Sequence, residues 1–309
     1  MRGAARSARV AGVSGRRHPL PPLPSATRVG DGRRAGLSRQ QILRLPAPFH
    51  GVRVGAPPRT LVEQAVALRP LLGPQQCFGR LTAAALHGLR LPDRCDGRPL
   101  EVLSLGGGRA MRRPGVRGVS VAGDRERWRT RDDLPVTSPV DTWCDLGATL
   151  HVDDLVGVLD SLVRRRRPFT TIDEVRAHLA ARGRTRGAAR LRQALSLARA
   201  GTDSWRETML RLLLVRAGLP EPEVNGEIRD PAGRVIAHGD LVWHDQRTIV
   251  EYEGRQHWED AAQFSIDILR IDRLLEERWD HIRVDKLLLA RPADLVARVT
   301  RSLTRRPSP

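Results

Sequence analysis

The chain has 309 residues, 40% of them hydrophobic, with 53 lysines and arginines against 35 acids for a formal net charge of +18. That length allows two ordinary domains, the apolar fraction is too high for a wholly disordered chain, and no apolar run approaches the roughly 18 residues of a membrane span. Cys77, Cys95 and Cys144 are odd in number and lack CxxC spacing, which argues against a disulfide framework or zinc ribbon and fits a reducing cytoplasm. A charge this positive favours a polyanionic partner such as nucleic acid, because neutralising phosphates releases counterions. The basic set is skewed: Lys286 is the one lysine, and the other 52 basic residues are arginines, as GC-rich coding would give.

Residues 1–50 hold ten arginines against one acid, Asp31. Residues 1–35, rich in Arg, Pro, Gly and Ser without apolar periodicity, are predicted to be a disordered basic tail, and they lack the apolar core of a secretory signal. The tail reads either as an extension without function, from a misplaced start codon, or as a nucleic-acid-binding arm. Residues 36–200 read as a mixed, mostly helical module. A short helix is predicted over 37–45, stopped by Pro46 and Pro48, and further helices over 60–71 and 80–86. The apolar runs Leu100–Leu105 and Val116–Val121 predict a β-hairpin whose long loop is basic and glycine-rich. Helices follow at about 139–147, 151–163, 171–181 and 186–199. Arg164–Arg167, between the second and third of these, reads as a solvated face.

Gly201–Ser204 marks a boundary, and the rhythm then changes. A helix over 204–217 carries Trp205, Met209, Leu212 and Leu213 on one stripe and ends at Gly218 before Pro220. Strands are predicted at 223–229, 234–243 and 247–253, the first two joined by Asp230-Pro231-Ala232-Gly233 and the last two by a tight turn at Asp245-Gln246. A helix over 259–277, a strand at 281–284 and a helix over 292–303 complete an αβββαβα order.

If Asp245-Gln246 is a two-residue turn, His244 pairs with Arg247, and counting back sets Asp240 directly opposite Glu251. Opposed like charges destabilise a sheet; at about 4 Å and an effective dielectric of about 20 the repulsion is on the order of 4 kcal/mol. The pair therefore needs a cation or an upward pKa shift, and a hard divalent ion, Mg²⁺ or Mn²⁺, suits carboxylates together with phosphate oxygens. Glu253 shares their face by the period of two, and Gly254 frees the chain to turn toward His257.

The run Ser204-Trp205-Arg206-Glu207, Gly218-Leu219-Pro220, Asp240-Leu241-Val242-Trp243, Val250 to Trp258, Asp267, Arg270 and Trp279 to Val284 resembles the domain of unknown function related to very-short-patch-repair endonucleases, in the PD-(D/E)XK nuclease superfamily. The resemblance covers 202–305 and implies a restriction-endonuclease-like α/β core acting on DNA. It implies that Asp240 and Glu251 are metal ligands and that Glu207 is an auxiliary carboxylate. Glu253 stands where the superfamily's catalytic lysine would be, a departure that makes His257 the candidate general acid or base and leaves Arg270 to replace the lost positive charge. Residues 36–200 resemble more weakly the actinobacterial proteins of the AbiE antitoxin type, through His50-Gly51-Val52-Arg53, Leu81 to Gly88 and Leu134 to Pro139; their N-terminal winged helix is not complete here.

Plainer roles stand beside these. Ser204-x-x-Glu207 is a capping box, and Asp267 with Arg270 makes an ordinary i, i+3 ion pair. His238 and His244 flank a hairpin in solvent, Trp243, Trp258 and Trp279 pack the sheet, and Lys286 is a surface residue. The chain is thus expected to be a cytoplasmic Mg²⁺- or Mn²⁺-dependent DNA endonuclease with no membrane association. The alternative is a non-catalytic DNA-binding regulator or antitoxin, with a cognate toxin as partner and a degenerate nuclease fold.

Overall fold

The computed structural model describes residues 26–305 apart from 124, 131, 184 and 254–260, and over 261–268 it describes the backbone alone. The chain divides by packing into two compact units, one ending at Leu71 and the other beginning at Leu72. Both units mix helices with strands, and among the described residues no helix is long and apolar enough to cross a membrane.

In the first unit, residues assigned by composition to the tail carry regular structure: β1 (Thr27–Arg28) and α1 (Val29–Arg34). The cause is long-range. β1 pairs antiparallel with β2 (Val52–Arg53), and Val29 donates its amide to the Gly51 carbonyl at 3.0 Å, a partnership that local composition does not report. Capping boxes at Ser38 and Thr60 start α2 (Arg39–Arg44) and α3 (Leu61–Leu68), each reciprocated by the glutamine or glutamate three residues on. Val52, Val54 and Ala67 form a small core.

The second unit opens on a six-stranded sheet made of β3 (Gln76–Phe78), β4 (Leu100–Ser104), β5 (Arg112–Arg113), β6 (Val116–Ser120), β7 (Arg127–Arg129) and β8 (Pro135–Thr137), in the order β5-β6-β4-β3-β8-β7. The predicted hairpin is corrected here. β4 and β6 run parallel, with Leu100 beside Val116 and Ser104 beside Ser120, and the hairpin is instead β5–β6, closed at Pro114-Gly115 with Arg113 opposite Val116. Gly115 supplies the positive φ of that turn, +74°. At Gly118 a Cβ would come within 2.1 Å of the Met111 carbonyl oxygen, so the doubled-back chain requires glycine there. Helices α4 (Arg80–Leu86), α5 (Pro139–Leu146), α6 (Val152–Leu162), α7 (Ile172–Arg182) and α8 (Ala188–Leu197) follow the predicted periodicities closely. Their core centres on α6 and on the fully buried Trp143, whose indole N–H donates to the Leu155 carbonyl at 2.9 Å.

Next come α9 (Trp205–Arg216), β9 (Glu223–Arg229), β10 (Val235–Trp243), β11 (Thr248–Tyr252), α10 (Ala261–Glu276), β12 (Asp280–Val284), the one-turn α11 (Lys286–Leu289) and α12 (Pro292–Thr304). Apart from α11 this is the predicted αβββαβα order. The strands form a sheet ordered β12-β11-β10-β9, antiparallel except for the β11–β12 pair.

No packing boundary falls at 201–204. Helix α9 belongs to two cores: Met209 and Leu212 pack with α6 and α8, whereas Leu210 and Leu214 pack on the sheet with Leu241, Val250 and Ile282. Trp205 lies on Gly157 of α6, where a Cβ would stand 2.2 Å from the indole ring. The fully buried Arg211 reaches from α9 to the Leu197 carbonyl at 2.7 Å, Glu221 at 2.9 Å and the buried Asp160 at 3.6 Å.

Candidate active site

The tight turn between β10 and β11 closes with the Arg247 amide on the His244 carbonyl at 3.0 Å, and the strands pair as Trp243 with Thr248 and Leu241 with Val250. The paired register ends at Leu241–Val250; beyond it the Tyr252 amide donates to Asp240 Oδ2 at 2.8 Å, and the Glu251 charge acts on Asp240. Glu207 is buried at the start of α9, where Ser204 caps the helix; its Oε2 accepts the amide of Asp203 at 2.7 Å rather than closing the box on Ser204. Burial pushes the Asp240 carboxyl up to about 7, and the charges of Glu207 and Glu251 push the same way.

Glu251 has the opposite electrostatics. Burial alone would raise its pKa, but a hydrogen bond from His281 and the charge of Arg270 outweigh it and hold the carboxyl below its ordinary range. His281 Nε2 stands 2.7 Å from Oε2, and the Arg270 guanidinium bonds Oε1 while also donating to the His238 carbonyl at 2.6 Å. Arg270 is therefore a strut between α10, β10 and β11. Glu253 is drawn into an ion pair with Arg283, and its amide donates to the Val284 carbonyl at 2.8 Å.

His281 and Arg283 were not singled out as site residues by the sequence. The signal was the alternation along β12: Ile282 and Val284 enter the core, so His281 and Arg283 take the other face, which the parallel pairing of Glu251 with Arg283 turns toward the carboxylates. His244 is not simply solvated; it bonds Glu223 at 2.7 Å and meets the Trp279 ring edge-on at 5.8 Å. His238 and Lys286 are exposed, and Trp243 and Trp279 are buried packing residues. His257, Trp258 and the Asp267 side chain lie outside the described residues.

Among the described residues, no group of three or more His, Cys, Asp and Glu side chains has the geometry of a metal centre. The donor chemistry at Asp240 nonetheless suits a hard divalent cation. Its oxygens are carboxylate oxygens, two neighbouring carboxylates repel its charge, and among the described residues no donor reaches its Oδ1. Each Glu251 oxygen already accepts one hydrogen bond, from Arg270 and from His281, and keeps a second lone pair.

No protein-family profile matches the chain, and no solved structure does. Two curated relatives, the uncharacterized proteins MT2308 and Rv2248 from two strains of Mycobacterium tuberculosis, are each 28% identical over 170 residues, covering 55% of this chain and 62% of theirs. The chain therefore spans less than two thirds of the length of the curated relatives it matches.

Proposed function

We propose that residues 202–305 form a restriction-endonuclease-like domain that hydrolyses DNA phosphodiester bonds with Mg²⁺ or Mn²⁺. The observation that supports this reading is Asp240 held by the Tyr252 amide beside Glu251, near a buried Glu207, with its carboxyl pushed up to about 7 by burial and by both neighbours. Asp240 and Glu251 would hold the cation, which when bound supplies Lewis-acid polarisation of the scissile phosphate and activation of water. Glu207, fixed by the Asp203 amide and the Ser204 cap, would be the auxiliary carboxylate beside Asp240. Arg270 would offer a positive charge to the negative charge developing on a phosphate, in place of the lysine whose position Glu253 occupies; Glu253 itself pairs with Arg283. His257 keeps its proposed acid–base role.

The test is Mg²⁺- or Mn²⁺-dependent cleavage of duplex DNA by the full chain. Asp240→Asn should abolish cleavage while DNA binding persists; cleavage at wild-type rate by this variant would overturn the assignment.

A second reading, a DNA-binding regulator or antitoxin with a cognate toxin and a degenerate nuclease fold, is favoured by one observation. The Glu251 charge is already compensated without a metal, by Arg270 on one oxygen and His281 on the other. It predicts salt-dependent DNA binding that neither Mg²⁺ nor carboxylate substitution alters.

A further inference from the structure

We propose that the arginine loop between α6 and α7, Arg164–Arg167, is a phosphate-backbone clamp that holds duplex DNA against the candidate carboxylate site; the identity of the partner rests on the DNA reading above.

The loop is joined to the site by short steps. Arg165 pairs with Asp203 at 3.0 Å, the Asp203 amide donates to Glu207 Oε2 at 2.7 Å, and Glu207 acts on Asp240. Arg90, whose guanidinium donates to the Thr202 carbonyl at 3.0 Å, feels the charges of both Glu207 and Arg164. Arg206, in the first turn of α9, lies 5.3 Å over the ring of Tyr252, the residue after Glu251.

The loop is also built rather than merely charged. The Phe169 amide closes it on the Leu162 carbonyl at 2.8 Å, Arg164 Nε donates to the Arg167 carbonyl at 3.2 Å, and the Arg164 guanidinium sits 4.9 Å over the Phe169 ring. With Arg164 and Arg165 so engaged, Arg166 and Arg167 are exposed and face no acidic partner among the described residues. Three carboxylates repel a polyanion, so a backbone can approach them only across neighbouring fixed cations. A preorganised loop supplies these with little ordering cost.

The experiment measures fluorescence anisotropy of a short DNA duplex with full-length Asp240→Asn protein, which separates binding from cleavage, across a series of salt concentrations. Adding Arg166→Ala and Arg167→Ala should weaken binding at least tenfold at low salt and reduce the log–log salt slope by about 2, near 0.9 per lost phosphate contact. Arg166→Lys with Arg167→Lys should keep most of the slope. Removing the same charge on α12, with Arg298→Ala and Arg301→Ala, should cost much less. An unchanged slope in the loop variant, an equal loss in the α12 variant, or no duplex binding by the parent protein would each overturn the clamp. Failure of the nuclease reading shows separately, as cleavage surviving in Asp240→Asn with the loop intact.

Discussion

Asp240 accepts the backbone amide of Tyr252 at 2.8 Å, so its carboxylate crosses to the strand that carries Glu251 and is held there against charge repulsion. An asparagine at 240 keeps an acceptor for that amide and removes the charge that Glu207 and Glu251 oppose. Asp240→Asn should therefore raise the thermal midpoint at pH 8 by roughly 2–4 °C, corresponding to about 1 kcal/mol, while cleavage is lost. Differential scanning calorimetry on both proteins checks it. A lower midpoint would mean that the Asp240 charge is compensated and that no repulsion is stored at the site.

On the proposed reading, the Arg270 guanidinium at Glu251 Oε1 would oppose by its charge a divalent cation held by the same carboxylate. Removing the guanidinium with Arg270→Ala frees Oε1, so Mn²⁺ titrated by calorimetry should bind several-fold more tightly to the variant than to the wild type. Cleavage should nevertheless fall, because the positive charge beside the phosphate is gone. Unchanged Mn²⁺ affinity would place the cation away from Glu251.

How far the site was legible in the sequence depends on the length of each connection. A two-residue turn fixes the register of β10 on β11, so the approach of Asp240 to Glu251 followed by counting from His244 and Arg247. Arg270 and His281 reach Glu251 only through a parallel crossover, whose register no local turn sets, and so their partnership was hidden. The same difficulty concealed the parallel pairing of β4 with β6: two apolar runs flanking a glycine-rich stretch look like a hairpin until the short β5 occupies the hairpin's place. In α9 the stripe of Trp205, Met209 and Leu212 is visible, but Leu210 and Leu214 mark a second apolar face, so the helix joins two cores just past the boundary expected at Gly201–Ser204.

Asp141 ties α5 to α7. Burial alone would raise its pKa, yet His178 at 3.0 Å, the Glu126 amide at 2.8 Å and Arg182 at 2.6 Å together hold it below the ordinary 3.8. A carboxyl depressed in the folded state contributes stability that is present above its unfolded pKa and lost as pH falls through the folded one. Asp141→Asn should cost about 1.5–3 kcal/mol at pH 7, the usual range for a hydrogen-bonded charge. Urea unfolding of wild type and variant should then converge as pH drops below 3.8. A difference independent of pH would assign the loss to packing instead.

Trp205 covers Gly157 so closely that no side chain fits between them: a Cβ would stand 2.2 Å and 2.3 Å from two carbons of the indole. Both partners lie in helices, so neither backbone can yield without disturbing a core. Gly157→Ala gains helix propensity yet should destabilise the chain by about 1–3 kcal/mol through overpacking. The same substitution in a Trp205→Ala background should cost little or even stabilise, because the ring it strikes is gone. Because Met209 and Leu212 share that face of α9, a fragment starting at residue 202 would expose an apolar surface which the residues from Leu72 onward otherwise cover. It should melt below the 72–305 chain and bind a hydrophobic dye at temperatures where the longer chain does not. Equal melting of the two fragments would show that the sheet side of α9 suffices to hold the carboxylate site together.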